Sequence, residues 1–519
     1  MNSSTRSCSP SFSVVTLLGI ILVLLSPRAE GFAQSEEDQR AWLRALDSLS
    51  SERMLADVQT LSSPAFSGRQ AGSEDDLRSA NWVGDQFRAS RISLAFVPLD
   101  RLNVPPGGEG NVPTGFMSRP HQAVLIAPEP TLQISTAKIL DNQRLGMDFL
   151  PVLDSPSAHV RAPIVFVGYG IVDTVAEMND YAGIDANNCI VLFLRGKPDH
   201  FKGTITHADK VRIARQKGAV GYLTATGSVL SSYEMRRGVT GQPSAFYGLS
   251  PAPDNLPGAW ISTSRAEQII AGADHSDQER LRSLQGQLNR TSESRSFPTE
   301  YFGALEWGSR QEQSPLINVI ALLPGTDPQL THEVIVIGAH RDHFGRQAGF
   351  LFPGADDNAS GTAVMLEVAR VLSKAGARPG RTILFISFSG EEQGLVGSRL
   401  YVERPVVPLA LTRTMINIDH AGVGNGRLTV GMTGLDKNVA LEAGQTAGLT
   451  DKLDLYGFFP GGDHVPFKEA GIPTIAVVSG GVHPHFHQPT DTADMINPEI
   501  LQSVARYVLA LTWQLANTP

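Results

Sequence analysis

A chain of 519 residues exceeds one ordinary hydrophobic core, so two or three domains are expected. Apolar content of 41% with 18% charged residues excludes a disordered chain. A net charge of −9 without a basic cluster argues against a nucleic-acid partner and leaves peptide, lipid and sugar substrates open.

The chain starts with Arg6 ahead of the apolar run "FSVVTLLGIILVLL" (12–25), then "GFAQS" with small Gly31 and Ala33. This pattern predicts a signal peptide over residues 1–33, removed on export to the periplasm or the exterior; a retained membrane anchor is the alternative. No later stretch is long enough to span a bilayer, so no stable membrane insertion is expected once the signal is gone. Of two cysteines, Cys8 goes with the signal, and Cys189 sits in the strand-like "NNCIVLFLRG" as a buried structural thiol.

Residues 36–105 open with helical pattern. In "SEDDLRSANWVGDQFRAS", Ser73 is the expected N-cap, and Leu77, Trp82, Val83 and Phe87 the buried face. Residues 106–300 begin with the loop "NVPPGGEGNVPTG" and continue as short strands around one helix near 208–223, with polar "LNRTSESRSFPTE" (288–300) as a closing linker. They predict an inserted, β-rich α+β domain. Residues 301–519 alternate near-continuous apolar runs with helices, the strongest helix covering 359–376. The class is α/β, with a mostly parallel central sheet sandwiched by helices.

Three of those runs end in potential ligands: His340 and Asp342, Glu391 and Glu392, and Asp419. Loops add Asp356 and Asp357 in "PGADDNASG", and His483, His485 and His487 in "HPHFHQPTDT". Singly, each reads as a surface pair, a helix cap or a solvated loop. Together they fall at strand ends or the following loops of one α/β region, where such sheets place their sites. Carboxylates and imidazoles without thiolate suit zinc, with cobalt or manganese as alternatives. The set suffices for two ions sharing one carboxylate and one water, and a further carboxylate must then take the water's proton. Adjacent glutamates answer that need, one as ligand and its neighbour as base.

At "GAHRDHFG", "PGADDNASGTA", "FSGEEQGLVGS", "NIDHAG" and "HQPTDT", in that order within residues 315–500, the chain resembles the M28 zinc-dependent exopeptidases, mainly aminopeptidases. "GIPTIAVVSGG" and "SPAFSGRQAGSEDD" extend the likeness, and residues 106–300 resemble a protease-associated domain. The resemblance implies that His340 and Asp419 bind one zinc, Glu392 and His487 the other, and that Asp357 bridges them. It also implies Glu391 as general base and then acid, Asp342 as the group orienting His340, and a cis peptide at Asp357–Asn358. The substrate implied is a peptide with a free N-terminus; oligomeric state is left open.

One departure stands out. Many relatives place an oxyanion-stabilising tyrosine where this chain has Phe486 or Phe459, and phenylalanine donates no hydrogen bond. Tyr456, His485 and His464 are the candidate replacements. Three rival functions stay open: a carboxypeptidase using Arg341, Arg346 or Arg399 for the substrate carboxylate, a one-zinc glutaminyl cyclase, and a binding ectodomain without catalysis.

Overall fold

The apolar runs of the C-terminal half form strands buried on both faces. The computed structural model describes residues 36–94, 115–138, 140–230, 235, 240–249, 255–272, 279–375 and 378–518. The expected signal segment 1–33 lies outside these residues, as does most of the expected loop that starts at Asn103.

The strands that matter for the site are β1 (Phe116–Ile126), β2 (Ser309–Leu323), β3 (Val334–His340), β4 (Thr382–Phe388), β5 (Thr412–Asp419), β6 (Leu428–Thr433) and β7 (Thr474–Ser479). They lie in the order β1-β2-β4-β3-β5-β7-β6. The central four, β4-β3-β5-β7, are mutually parallel. The flanks are not: β2 runs antiparallel to β4 and β1, and β6 antiparallel to β7. The expected parallel sheet is therefore parallel at its centre and mixed at its edges.

Every residue of β3 and β4 is buried. Side chains alternate between faces: Ile335 and Ile337 of β3 join one core, Val334 and Val336 the other. The larger core is closed by helices α1 (Ser51–Leu61), α2 (Glu74–Ala89), α3 (Gly361–Lys374) and α4 (Pro498–Asn517). Ser73 caps α2, accepting from the Asp75 and Asp76 amides. Val83 and Phe87 of that helix are buried as expected, whereas Leu77 is 39% exposed. The inward face is instead Asp76, Ser79, Ala80, Val83 and Phe87, and its polar members serve the site. Among the described residues no helix is long and apolar enough to cross a membrane.

A second sheet takes its strands from residues 131–307, in the order Leu140–Asn142, Thr131–Ser135, Phe297–Trp307, Ala158–Phe166, Ile190–Leu194, Gly221–Ala225, Gly258–Ile261, Phe149–Pro151. The stretch expected as a polar linker is already strand from Phe297. Cys189 is buried in this region's core. Phe344 and Phe352, from the loop after β3, are fully buried in the second-sheet core, so the two regions share apolar packing.

Glycine at 397 fixes how the glutamate-bearing loop leaves β4. A Cβ there would run into the Ser389 carbonyl and the Asn318 amide oxygen. Asn318 donates to the Gly397 carbonyl (2.8 Å) and accepts from the Ser389 amide (3.2 Å). Gly397→Ala is expected to cost about 1–3 kcal/mol through overpacking, read as a lowered midpoint in urea unfolding.

Candidate active site

Because β4, β3, β5 and β7 are parallel, their carboxyl ends open on one edge of the sheet, and the expected site residues converge there. β3 ends in His340, β5 in Asp419, β4 runs into Glu391 and Glu392, and the loop after β7 brings His487. Asp357 comes from the loop ahead of α3, and its peptide bond to Asn358 is cis.

Asp357 stands in the middle. Its Oδ1 is 3.4 Å from His340 Nε2, which is also 3.4 Å from Asp419 Oδ1. Its Oδ2 is 3.1 Å from His487 Nε2, which lies 3.4 Å from Glu392 Oε2. Ligand atoms 2.0–2.1 Å from a tetrahedral zinc stand roughly 3.3 Å apart, close to each of these pair distances. Among the described residues the ligand atoms of His340, Asp357 and Asp419 all lie within 4.8 Å of one another, as do those of His343, Asp357 and Glu392, with His487 Nε2 beside the second set. Asp419 Oδ1 is buried and has no hydrogen-bond partner among the described residues. The charge balance asks for cations as well. Burial, reinforced by the charges of Asp357 and Glu391, holds the Glu392 carboxyl well above its usual range. Burial also pushes Glu391 up to about 8, with Asp463 and Asp419 adding to it against His340. Burial disfavours a charged His340, but Asp419 and Glu391 outweigh it and hold the imidazole well above its ordinary value. Several buried carboxylates this close cannot all ionise without positive charge among them.

The surrounding residues fix these side chains. His340 Nδ1 is 3.3 Å from the Asp342 carbonyl and 3.7 Å from its carboxylate, which instead accepts from the Glu391 amide at 3.2 Å. Asp491, of the "HQPTDT" motif, accepts from the Asp356 and Asp357 amides at 2.9 and 3.1 Å. Arg69, of "SGRQAG", is fully buried and donates to the carbonyls of Leu61, Pro353 and Gly354 at 2.6–2.7 Å. It thereby ties the ligand-bearing loop to the N-terminal helices, and burial lowers its pKa to about 10.

Sequence reasoning gave His343 and His420 no role and placed His483 only among the candidate loop ligands. His343 Nδ1 lies 2.8 Å from Glu392 Oε1. His420 Nδ1 is 3.2 Å from Asp356 Oδ2, and its Nε2 is 3.6 Å from Asp357 Oδ2. His483 Nδ1 sits on the same Asp356 oxygen at 2.6 Å, while Asp356 Oδ1 accepts from the Gly422 and Val423 amides. The signal was present in "GAHRDHFG" and "NIDH"; only the packing shows which imidazoles turn inward.

A cavity of about 830 Å³ opens over the site, with Glu391, Glu392, Asp419 and His487 in its wall. Its remaining lining is rich in Phe246, Tyr247, Tyr456, Phe458, Phe459 and Phe486. Of the expected oxyanion donors, Tyr456 and His464 line this cavity and His485 does not. Burial lowers the pKa of His464, and its Nε2 faces the Phe459 carbonyl at 3.0 Å. Its Nδ1 is buried and has no hydrogen-bond partner among the described residues. Arg341, Arg346 and Arg399 are absent from the cavity wall. Arg341 is fully buried against Asp76, and Arg399 pairs with Glu469 at 2.8 Å.

Comparison with known proteins agrees with this geometry. The family model "Peptidase family M28" matches residues 318–512. Aminopeptidase YwaD of Bacillus subtilis is 34% identical over 194 residues, 35% of this chain and 41% of that protein. The probable glutamate carboxypeptidase AMP1 of Arabidopsis thaliana is 26% identical over 397 residues, 66% of this chain and 51% of that protein. The match thus spans about half the length of these curated relatives. The solved aminopeptidase from Aneurinibacillus sp. strain AM-1 shares the fold, with a TM-score of 0.63 and 24% identity, covering 92% of this chain and 96% of that one. Strands β3, β4 and β5, which end in or lead to the candidate ligands, all lie inside the matched stretch, and residues 318–512 are a peptidase family M28 domain.

Proposed function

We propose that the chain is an exported metallo-aminopeptidase that holds two zinc ions and removes N-terminal residues from peptides. The observation behind this reading is the position of Asp357, with Oδ1 3.4 Å from His340 Nε2 and Oδ2 3.1 Å from His487 Nε2, imidazoles that in turn lie 3.4 Å from Asp419 and Glu392. His340, Asp357 and Asp419 would hold one zinc, and Asp357, Glu392 and His487 the other. When bound, such a pair lowers the pKa of a shared water toward ~7 and polarises the scissile carbonyl.

The chain's own residues do the rest. Glu391 takes the proton from the attacking water and returns it to the departing amine. Asp342, through the Glu391 amide, fixes where that carboxyl points. Asp419 and Glu391 supply negative charge for the substrate's free α-ammonium. The aromatic wall of the cavity excludes water and favours a bulky apolar N-terminal side chain. The second-sheet region, residues 131–307, acts as an inserted, protease-associated-like domain that narrows access and selects short peptides; the expected start of that domain, residues 116–126, instead pairs with β2 in the central sheet.

The carboxypeptidase-named relative keeps the second reading in view. That activity needs a cation for the substrate's terminal carboxylate, and the three arginines expected to supply it do not reach the cavity wall. Leucine p-nitroanilide assayed against an N-blocked dipeptide decides between them. The expected outcome is cleavage of the first only, with two zinc per chain by metal analysis. One zinc, or cleavage of the blocked dipeptide alone, would overturn the reading.

A further inference from the structure

His487 is gripped from outside the M28 domain. Its Nδ1 faces the Ala245 carbonyl at 2.9 Å, and its own carbonyl accepts from the Ala245 amide at 3.0 Å. The next residue, Gln488, donates its side-chain amide to the Pro243 carbonyl (3.0 Å) and the Ser244 hydroxyl (2.9 Å). Pro243, Ser244 and Ala245 are all buried. His487 has a φ of +56°, a conformation an L-residue rarely adopts without such support. Its ring is packed by Phe486, stacked at 3.6 Å between centroids, and by Phe344 at 4.7 Å.

The gripping segment is itself anchored in the second-sheet region. The Asp154 carboxylate accepts from the Gly248 and Leu249 amides at 3.0 and 2.7 Å, and the Leu153 amide donates to the Phe246 carbonyl at 3.1 Å. Tyr247 packs on Phe344, which follows His343 directly.

We propose that the Pro243–Tyr247 segment is part of the metal centre: Ala245 accepts the Nδ1 proton of His487 and so presents Nε2, as a lone pair, to the cation shared with Asp357 and Glu392. A metal-binding imidazole whose other nitrogen donates to a carbonyl is fixed in tautomer and orientation. Here that carbonyl comes from the second-sheet region, so one of the two cation positions is complete only while that region is docked. Asp154 and Gln488 are positioning residues acting through Ala245. The inference rests on His487 being a ligand, as proposed above.

The test uses the full chain and zinc alone, titrated against a chromophoric chelator, with cobalt substitution to tell the two positions apart by their visible spectra. Asp154→Ala and Gln488→Leu are compared with wild type and with His487→Ala. The expected result is a weaker second ion, by about 10–100-fold in affinity, in both positioning variants. The ion on the His340 and Asp419 side should keep its wild-type affinity. If Asp154→Ala does not fold, Gln488→Leu decides alone. Should folded positioning variants hold both ions as wild type does while His487→Ala loses one, the proposed coupling is wrong and the peptidase reading stands. Retention of both ions by His487→Ala would remove the ligand assignment and this inference with it.

Discussion

Glu391→Gln is expected to lower kcat by about 10²–10⁴-fold, the usual contribution of a positioned general base, while zinc content stays at the wild-type level. Glutamine keeps the volume and one acceptor but takes up no proton. The Glu391 backbone is held by the hydrogen bond from its amide to Asp342, which the substitution leaves in place. Loss of zinc with the activity would make Glu391 a ligand rather than a base; unchanged hydrolysis would remove it from the mechanism. Glu392→Gln should differ. Its carboxylate lies within 3.4 Å of His487 Nε2 and 2.8 Å of His343 Nδ1, so metal content should fall together with activity. Parallel metal analysis and steady-state kinetics separate the two neighbours.

The largest stability effect is expected at Asp76→Ala, about 3–5 kcal/mol, because the change strands a buried guanidinium. Arg341 and Asp76 are both fully buried and paired, and Arg341 also donates to the Ser79 hydroxyl (3.0 Å) and the Ile317 carbonyl (2.6 Å). The Ser389 hydroxyl donates to the other Asp76 oxygen at 2.8 Å. The pair therefore joins α2, β2, the residue after His340 and the residue after β4. Urea unfolding of Asp76→Ala should show a much lower midpoint with the slope little changed. A double variant replacing Arg341 by Met as well should recover part of the loss, since an apolar pair of similar size avoids the uncompensated charge. If the single variant is as stable as wild type, the pair does not hold these elements together.

The α/β class was legible because strands buried on both faces read as unbroken apolar runs, and those at 334–340 and 382–388 do. The convergence of the candidate ligands was legible for a related reason: parallel strands deliver their terminal residues to one edge, so His340, Glu392 and Asp419 at or just beyond strand ends implied proximity. The antiparallel flanks of the sheet were not legible, because burial pattern records faces and not direction. Arg341 shows a second limit. In sequence it sits between two site residues and reads as a substrate-binding cation, yet alternation along the extended chain turns it into the interior toward α2. His343 and His420 show a third. An imidazole next to a ligand is equally consistent with solvent exposure, and its inward turn depends on partners tens to hundreds of residues away. Leu77 was misplaced because apolar periodicity alone assigned the inner face of α2, whereas the helix buries Asp76 and Ser79 for polar partners there.

Arg69 also bears on how firmly the centre is held. Its guanidinium reaches the Leu61 carbonyl at the end of α1 and the Pro353 and Gly354 carbonyls just ahead of Asp357. The loop that carries Asp357 is thus braced by a side chain remote in sequence, and severing that brace would loosen the centre without altering any of its candidate ligands.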